Sequence, residues 1–296
     1  MLGRQLLEAA RRRGHRTVGF TRSPDRGLPG ADEVRRFELG REVDLTGIDV
    51  VIHLAGENLL GLWTKAKRER LRSSRIDTTR QLVAALAKPS APGGNRPALV
   101  SASAVGYYGD GGEALLAEHS PAGRGFLAEL CVDWEREANR HADSGGRVVN
   151  ARLGVVLAPE GGAFPLQRRA FSFCLGGRFG NGRQWFSWIH IDDAVALLLA
   201  AAENDDDPWS GPVNVVAPGV VTNAEYTRAL ASALRRPAIV PAPAPLMRLL
   251  LRDMAQMFLF SQRARPAAAE ARGFTFAHPQ LGGALAALLG KSGTGG

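Results

Sequence analysis

The chain has 296 residues, 45% of them hydrophobic and 22% charged. That is ample for a sizeable core, in one large α/β domain or one domain with a small appendage, and it excludes a disordered chain. The longest apolar stretches, such as 194–202, fall well short of the roughly 20 residues that span a bilayer, and no signal-peptide segment follows Met1.

The formal net charge is +8. The basic residues are scattered apart from Arg11 to Arg13 and the run from Lys65 to Arg75, both on predicted helices. A solvated face or a phosphate-bearing ligand explains them better than nucleic acid, for which no motif is present. Cys131 and Cys174 have neither metal nor disulfide spacing. A cytoplasmic protein with no nucleic-acid or membrane partner is expected.

Leu2 to Arg13 carries Leu6, Leu7 and Ala10 at helical spacing and stops at Gly14. Thr17 to Phe20 is predicted as a short buried strand, and Asp49 to Leu54 as a clearer one ending in Ala55 and Gly56. A long helix is predicted from about Trp63 to Ala87, then a loop over 89–97 and a buried strand from Ala98 to Ser103. A helix from Ala122 to His141 and a strand from Arg147 to Leu157 follow. A glycine-rich region surrounds a helix near Phe164 to Cys174. Further on, His190 to Ala202 is predicted helical, Pro212 to Ala217 a strand, and Asn223 to Leu234 a helix capped by Thr222 or Asn223. The proline-dotted segment 237–245 reads as strand and linker into a helical tail. There Met247, Leu250, Leu251, Met254, Met257 and Phe258 recur at helical spacing, which suits core packing or a homodimer face. Residues 291–296 are expected to be a disordered tail. Alternating strands and helices predict a parallel sheet covered on both faces.

The beginning is unusual. An open dinucleotide-binding sheet starts with a strand, a glycine-rich turn and a helix whose N-terminal amides hold the pyrophosphate. Here Met1-Leu2-Gly3 looks like the tail of such a turn, with Gly3 as its last glycine, and about ten residues of strand and turn are missing by this reading. A misplaced start, a fragment, and a helix-first fold are the alternatives. The pattern Gly106-Tyr-Tyr-Gly109-Asp-Gly-Gly112 mimics a phosphate motif, but no helix opens at its end, so it reads as a tight loop.

Four segments, Asp49–Gly56 (DVVIHLAG), Ser101–Asp110 (SASAVGYYGD), Arg152–Leu157 (RLGVVL) and Trp185–Asp193 (WFSWIHIDD), resemble the successive signatures of extended short-chain dehydrogenases/reductases. Gly56-Glu57-Asn58, Tyr107-Tyr108 and Gln184-Trp185-Phe186 are similar to the atypical epimerase-like subgroup, which ends in a short helical domain of unknown function. The resemblance implies a Rossmann-like doubly wound parallel sheet, its first strand absent, over 1–240, with a small C-terminal helical region over 241–290 beside the substrate. It implies NADP(H) as cofactor: Thr21 and Arg22 end the second strand, and an arginine there suits the 2′-phosphate. Leu54, Ala55 and Gly56 would pass beneath the adenine-ribose side, Arg75 would reach back toward the cofactor, and Val155 would line the nicotinamide side.

The usual catalytic set is a Ser or Thr, a Tyr, and a Lys four residues after that Tyr. Ser103 and Tyr108 match two parts of it, and Tyr107 is a neighbouring candidate. The Tyr–Lys pair is absent; the aligned positions are Phe126 with Leu130 or Leu127 with Cys131. Glu118 is a further candidate for proton work or a loop-shaping residue. Trp185, Phe186 and Trp188 would wall a substrate, a nucleotide sugar by family likeness, under a flexible loop of Gly176 to Gly182 and Arg183. His190 is read as bonding within the fold and Asp192 or Asp193 as a helix cap. The six histidines are dispersed, so no metal is expected. The functions left open are an NADP(H)-dependent oxidoreductase or epimerase acting on a hydroxyl or carbonyl carbon, a catalytically silent cofactor-binding regulator, and a chain that binds no dinucleotide.

Overall fold

The computed structural model describes residues 1–88, 96–203 and 207–290. Most of the loop expected over 89–97, and the tail expected over 291–296, lie outside these. The chain opens with α1 (Leu2–Arg12), followed by β1 (Val18–Thr21), β2 (Glu33–Arg36) and β3 (Val50–His53). Then come α2 (Lys65–Arg72), α3 (Thr78–Leu86), β4 (Ala98–Ala104), β5 (Leu115–Leu116), α4 (Phe126–Asp143), β6 (Val148–Leu153) and β7 (Val155–Leu157). The second half holds α5 (Phe164–Ser172), β8 (Trp185–Phe186), β9 (Trp188–His190), α6 (Ile191–Glu203), β10 (Gly211–Val215), β11 (Val221–Thr222) and α7 (Asn223–Leu234). It ends in α8 (Ala244–Leu251), α9 (Gln256–Leu259), β12 (Arg263–Ala264), α10 (Ala267–Ala271) and α11 (Leu281–Gly290).

The parallel sheet is in two parts. One has the order β10-β6-β4-β3, the other is the pair β1-β2, and no ladder joins β1 to β3 among the described residues. Alternation along the strands sends residues to two helical layers. Val100, Val149 and Ile52 meet α6 and α1 through Leu6, Leu197 and Leu198. Leu99, Val148 and Val51 meet α3 and α4 through Leu82, Leu86 and Ala138, and Phe20 of β1 joins this layer. Both faces are thus covered, which is the expected doubly wound α/β arrangement. α6 is apolar almost all round because it lies between the sheet and α1.

Several boundaries differ from the sequence expectation. The helix expected over 63–87 is two helices joined by a π-helical turn, Ser73–Asp77. The helix expected from Ala122 begins at Phe126, because 123–124 is packed against the Tyr108-Gly109 turn: a Cβ on Gly123 would lie 2.1 Å from the Tyr108 carbonyl oxygen. The strand expected over 147–157 is two strands. Gly154 N–H still bonds to Val215 O, but Val155 N–H turns to Ser187 O, and β7 pairs with β9 instead. The segment 237–245 makes no strand, only a single bridge between Phe179 and Ala242. β2, β5, β8, β9, β11 and β12 were not predicted, and His190, expected in a helix, ends β9; most of these strands are two residues long, too short for periodicity to register. No helix among the described residues is long and apolar enough to cross a membrane.

His53 ends β3 fully inside the protein, its Nε2 3.1 Å from the Thr79 hydroxyl, which also accepts the Trp134 indole N–H at 3.0 Å. Burial holds its pKa at about 4, against 6.5 ordinarily. The folded chain therefore keeps His53 neutral where the unfolded chain binds a proton. Stability from this group is intact above pH 6.5 and lost as pH falls toward 4, by on the order of 3 kcal/mol. Urea unfolding between about pH 7 and about pH 4 should show this slope, and His53→Leu should flatten it; an unchanged slope in the variant would assign acid sensitivity elsewhere.

Candidate active site

The C-terminal ends of the parallel strands carry most of the residues singled out in the sequence, the edge where open α/β sheets bind ligands. At the end of β3, Leu54 is partly buried in the α1–α6 layer while Ala55 and Gly56 are exposed. Gly3 stands beside them: a Cβ there would lie 3.9 Å from Leu54 Cδ1. At the end of β1, Thr21 accepts a bond from Ser23 N–H on its hydroxyl, and the exposed Arg22 offers its carbonyl to Arg36.

Arg75 lies directly under Gly56. A Cβ on Gly56 would be 3.0 Å from the guanidinium carbon. The π-helical turn between α2 and α3 aims Arg75 inward, where it is buried and stacks 5.2 Å from the Trp134 ring centroid. Its N–H groups reach the carbonyls of Glu57 at 3.1 Å and Leu71 at 3.3 Å, and no carboxylate forms an ion pair with it among the described residues. Burial lowers its pKa. An arginine keeps its charge under such a load, and the Glu57 carboxylate acts on it only from beyond ion-pair distance, so this is a buried positive centre without a bonded anion among the described residues. Cys131 packs nearby on α4, and burial pushes its thiol up to about 12, which leaves it inert as an acid or nucleophile at neutral pH.

Ser103 and Tyr108 are brought together, but through other residues. Ser103, at the end of β4, donates to Glu135 Oε1 at 2.6 Å. Glu135 is clasped by Arg152 of β6, Nε to Oε1 at 2.8 Å and Nη2 to Oε2 at 2.8 Å. Arg152 Nη1 then donates to Tyr108 OH at 3.0 Å and to the Glu118 carbonyl at 2.9 Å. Tyr108 OH donates to Asn214 Oδ1 of β10 at 2.7 Å. Ser103 and Tyr108 are 2% and 3% exposed, so both hydroxyls are committed inside the fold. Burial, the largest influence, raises the Tyr108 pKa, and the Arg152 charge only partly offsets it. Burial disfavours the Arg152 charge, but the Glu135 carboxylate prevails and raises its pKa.

Tyr107 is half-buried beneath the Arg152 guanidinium, 3.5 Å from its ring centroid, and borders a cleft of about 330 Å³ with Glu135, Arg136 and Asn139 of α4. The Glu118 carboxylate accepts the N–H groups of Asn214 and Ala268, so it shapes the loop. Trp185, Phe186 and Trp188 do not form one wall: Trp188 is fully buried, its indole N–H donating to Gly219 O. Phe186 packs on Tyr226 at 4.5 Å, whereas Trp185 bonds Glu113 through its indole N–H and lies under Arg263. Arg183 is exposed on the adjoining loop. Val155 is half-buried beside β9.

The segment ending in Asp193 also departs from expectation. His190, not an aspartate, caps α6: its Nδ1 accepts the Asp192 N–H at 3.1 Å. Asp193 instead accepts the N–H groups of Ala277 and His278, fastening the C-terminal region. His190, Asp192 and His278 come together, with the two rings 3.8 Å apart, a convergence that the wide sequence separation hid. Glu135, Arg152 and Asn214 were also missed as site residues. The available signal was Arg152 itself: a charged residue inside the run VVNARLGVVL, apolar but for Asn150, requires a buried partner.

Comparison with known proteins agrees with this architecture. Residues 1–217 match the model of the NAD dependent epimerase/dehydratase family, and 242–288 match a domain of unknown function, DUF1731. An epimerase family protein of Mycobacterium bovis is 40% identical, covering 96% of this chain and 93% of the relative. A chloroplastic SDR39U1 homologue of Arabidopsis thaliana is 35% identical, covering 97% and 84%. The crystal structure of human epimerase family protein SDR39U1 with NADPH superposes with a TM-score of 0.87 at 33% identity, covering 97% of this chain and 95% of that one. The chain therefore belongs to the NAD dependent epimerase/dehydratase family.

Proposed function

We propose that the chain binds NADP(H) along the C-terminal ends of β1, β3 and β4 and serves an oxidoreductase or epimerase reaction at a hydroxyl or carbonyl carbon. The observation that carries this reading is Arg75, a buried cation without an ion-pair partner among the described residues, under the exposed backbone of Gly56. A bound dinucleotide supplies the anion that such a centre lacks. Arg22, exposed at the end of β1, is the reader of the 2′-phosphate. The NADPH in the human relative supports this cofactor. Nicotinamide, when bound, would give or take hydride; a sugar nucleotide is the substrate class this family membership favours.

The chain's own residues would position rather than titrate. Ser103 and Tyr108 fix the turn at 105–109 through Glu135 and Arg152, and Tyr108 holds its proton at neutral pH. Trp185 and Arg183 are the proposed substrate side, since Phe186 is turned onto Tyr226. The same buried network favours a second reading, cofactor binding without turnover, because it leaves neither hydroxyl available to a substrate.

Titration with NADPH, followed by energy transfer from tryptophan, should saturate and should be tighter than with NADH. Arg22→Ala should remove most of that preference, about tenfold or roughly 1.4 kcal/mol. Arg75→Met should weaken both cofactors at least tenfold; a folded wild-type chain that binds neither would sink the proposal.

Ser103→Ala and Tyr108→Phe should each cost about 1–3 kcal/mol of stability, the range for a lost buried hydrogen bond. Any NADPH turnover found in a substrate screen should change only a few-fold. A collapse in kcat with unchanged stability would instead make these hydroxyls catalytic. Glu135→Gln, which strands Arg152, should cost more, about 3–5 kcal/mol in denaturant unfolding.

A further inference from the structure

One surface combines two features that a monomer in water does not need. α8 turns Met247 inward and leaves Leu246, Leu249 and Leu250 outside, at i, i+3 and i+4. This is an apolar stripe on the solvent side of a helix. The stripe of methionines and leucines read from the sequence thus divides: Met247 and Met254 are buried, while Leu250 is exposed.

The patch continues beyond α8. Val240 N–H bonds to Gly176 O, Ala242 N–H to Arg178 O, and Gly180 N–H to Ala242 O. These bonds set the segment before α8 against the segment after α5. Ile239 and Phe173 project from the two segments. Leu249, Ile239 and Phe173 are 74%, 70% and 67% exposed.

The charge of the same region is one-sided. Residues 163–183 and 234–252 contain eight arginines and no Asp or Glu. Outside them the remaining 29 Lys and Arg equal the 29 Asp and Glu of the chain. The whole excess of +8 therefore falls on these two segments. Arg169, Arg178, Arg235, Arg236, Arg248 and Arg252 are exposed, and none forms an ion pair among the described residues.

Projecting aliphatic and aromatic side chains interleaved with exposed arginines fit an interface that is apolar inside and anionic at its surface. Nucleic acid would use the charge but not the leucines. A second copy of this chain would present the same positive charge to itself. We propose that this face docks onto a membrane surface containing anionic phospholipid, with Phe173, Ile239 and Leu249 entering the headgroup layer and the arginines meeting phosphates. It needs no spanning segment, and it departs from the expectation of no membrane partner.

The test uses the full chain and sedimentation with vesicles of phosphatidylcholine alone or mixed with phosphatidylserine. Binding to the mixed vesicles, weaker at high salt and at least tenfold weaker on phosphatidylcholine alone, is expected. The Ile239→Asp, Leu249→Asp double variant and the Arg235→Ala, Arg236→Ala double variant should each reduce it at least tenfold. All four positions are exposed, and an unchanged thermal midpoint establishes that the variants fold. Vesicle binding unaffected by the aspartates would reduce the effect to non-specific charge and overturn the proposal. So would tighter binding to duplex DNA or polyglutamate than to vesicles. Concentration-dependent dimerisation abolished by the aspartates, without vesicle binding, would assign the face to a second copy and overturn it too.

Discussion

The buried pair of Glu135 and Arg152 sets the geometry of the whole C-terminal edge of the sheet. A buried ion pair is stable only if its geometry is good and its remaining donors and acceptors are satisfied. Here the clasp is bidentate, and four of the five N–H donors of Arg152 have acceptors: two on Glu135, one on Tyr108 and one on the Glu118 carbonyl. The Tyr107 ring covers the guanidinium face. Each partner comes from a different element: Glu135 from α4, Arg152 from β6, Ser103 from β4, and Asn214, through Tyr108, from β10. Asn214 passes the network on to the carbonyl of Arg265, beside β12. Removing any member leaves a charge or a buried polar atom stranded, so the network fixes one arrangement of strands, turn and C-terminal region.

Two buried arginines therefore do opposite work. Arg152 has its carboxylate and is spent on structure. Arg75 has carbonyls, the Ser74 hydroxyl and a ring face but no ion-paired carboxylate among the described residues, and carries its positive charge to the underside of the β3 turn. The difference is not one of burial, since both are under a tenth exposed. It is one of compensation by a directly bonded carboxylate, and a charge without one at the edge where such sheets bind ligands is where an anionic ligand gains most.

Much of the fold was legible because long elements carry period and composition. α1, β3, β4, α4 and α7 announce themselves through apolar spacing, and α7 also through its Thr222 and Glu225 capping box. The two-residue strands were not legible, since pairing partners far along the chain decide them. The site divides in the same way. Thr21, Arg22, Leu54, Ala55 and Gly56 lie at strand ends, which the sequence marks. The occupation of Ser103 and Tyr108 depends on Glu135 and Asn214, which are distant in sequence and become neighbours only in the fold. Arg75 could be named from the sequence, but not its lack of an ion-pair partner, because a helical arginine usually faces water and here a π-helical turn rotates it inward.

The end of β1 and the end of β3 are positioned by different kinds of contact. Ladder hydrogen bonds hold β3 to β4, and so hold Gly56 and Arg75 to the network. β1 has no such connection to β3 among the described residues. Its place is set instead by Phe20 in the α3–α4 layer, by Thr17 bonded to the Asp32 carboxylate, and by Arg11 of α1 on the same carboxylate at 2.9 Å. Apolar packing is less directional than a ladder of hydrogen bonds. The end of β1, with Arg22, is therefore placed by this packing and these bonds rather than through the β3–β4 ladder. Under the proposed assignment of Arg22 to the 2′-phosphate, core substitutions around Phe20 should alter discrimination there more than they alter the hold on the rest of the dinucleotide.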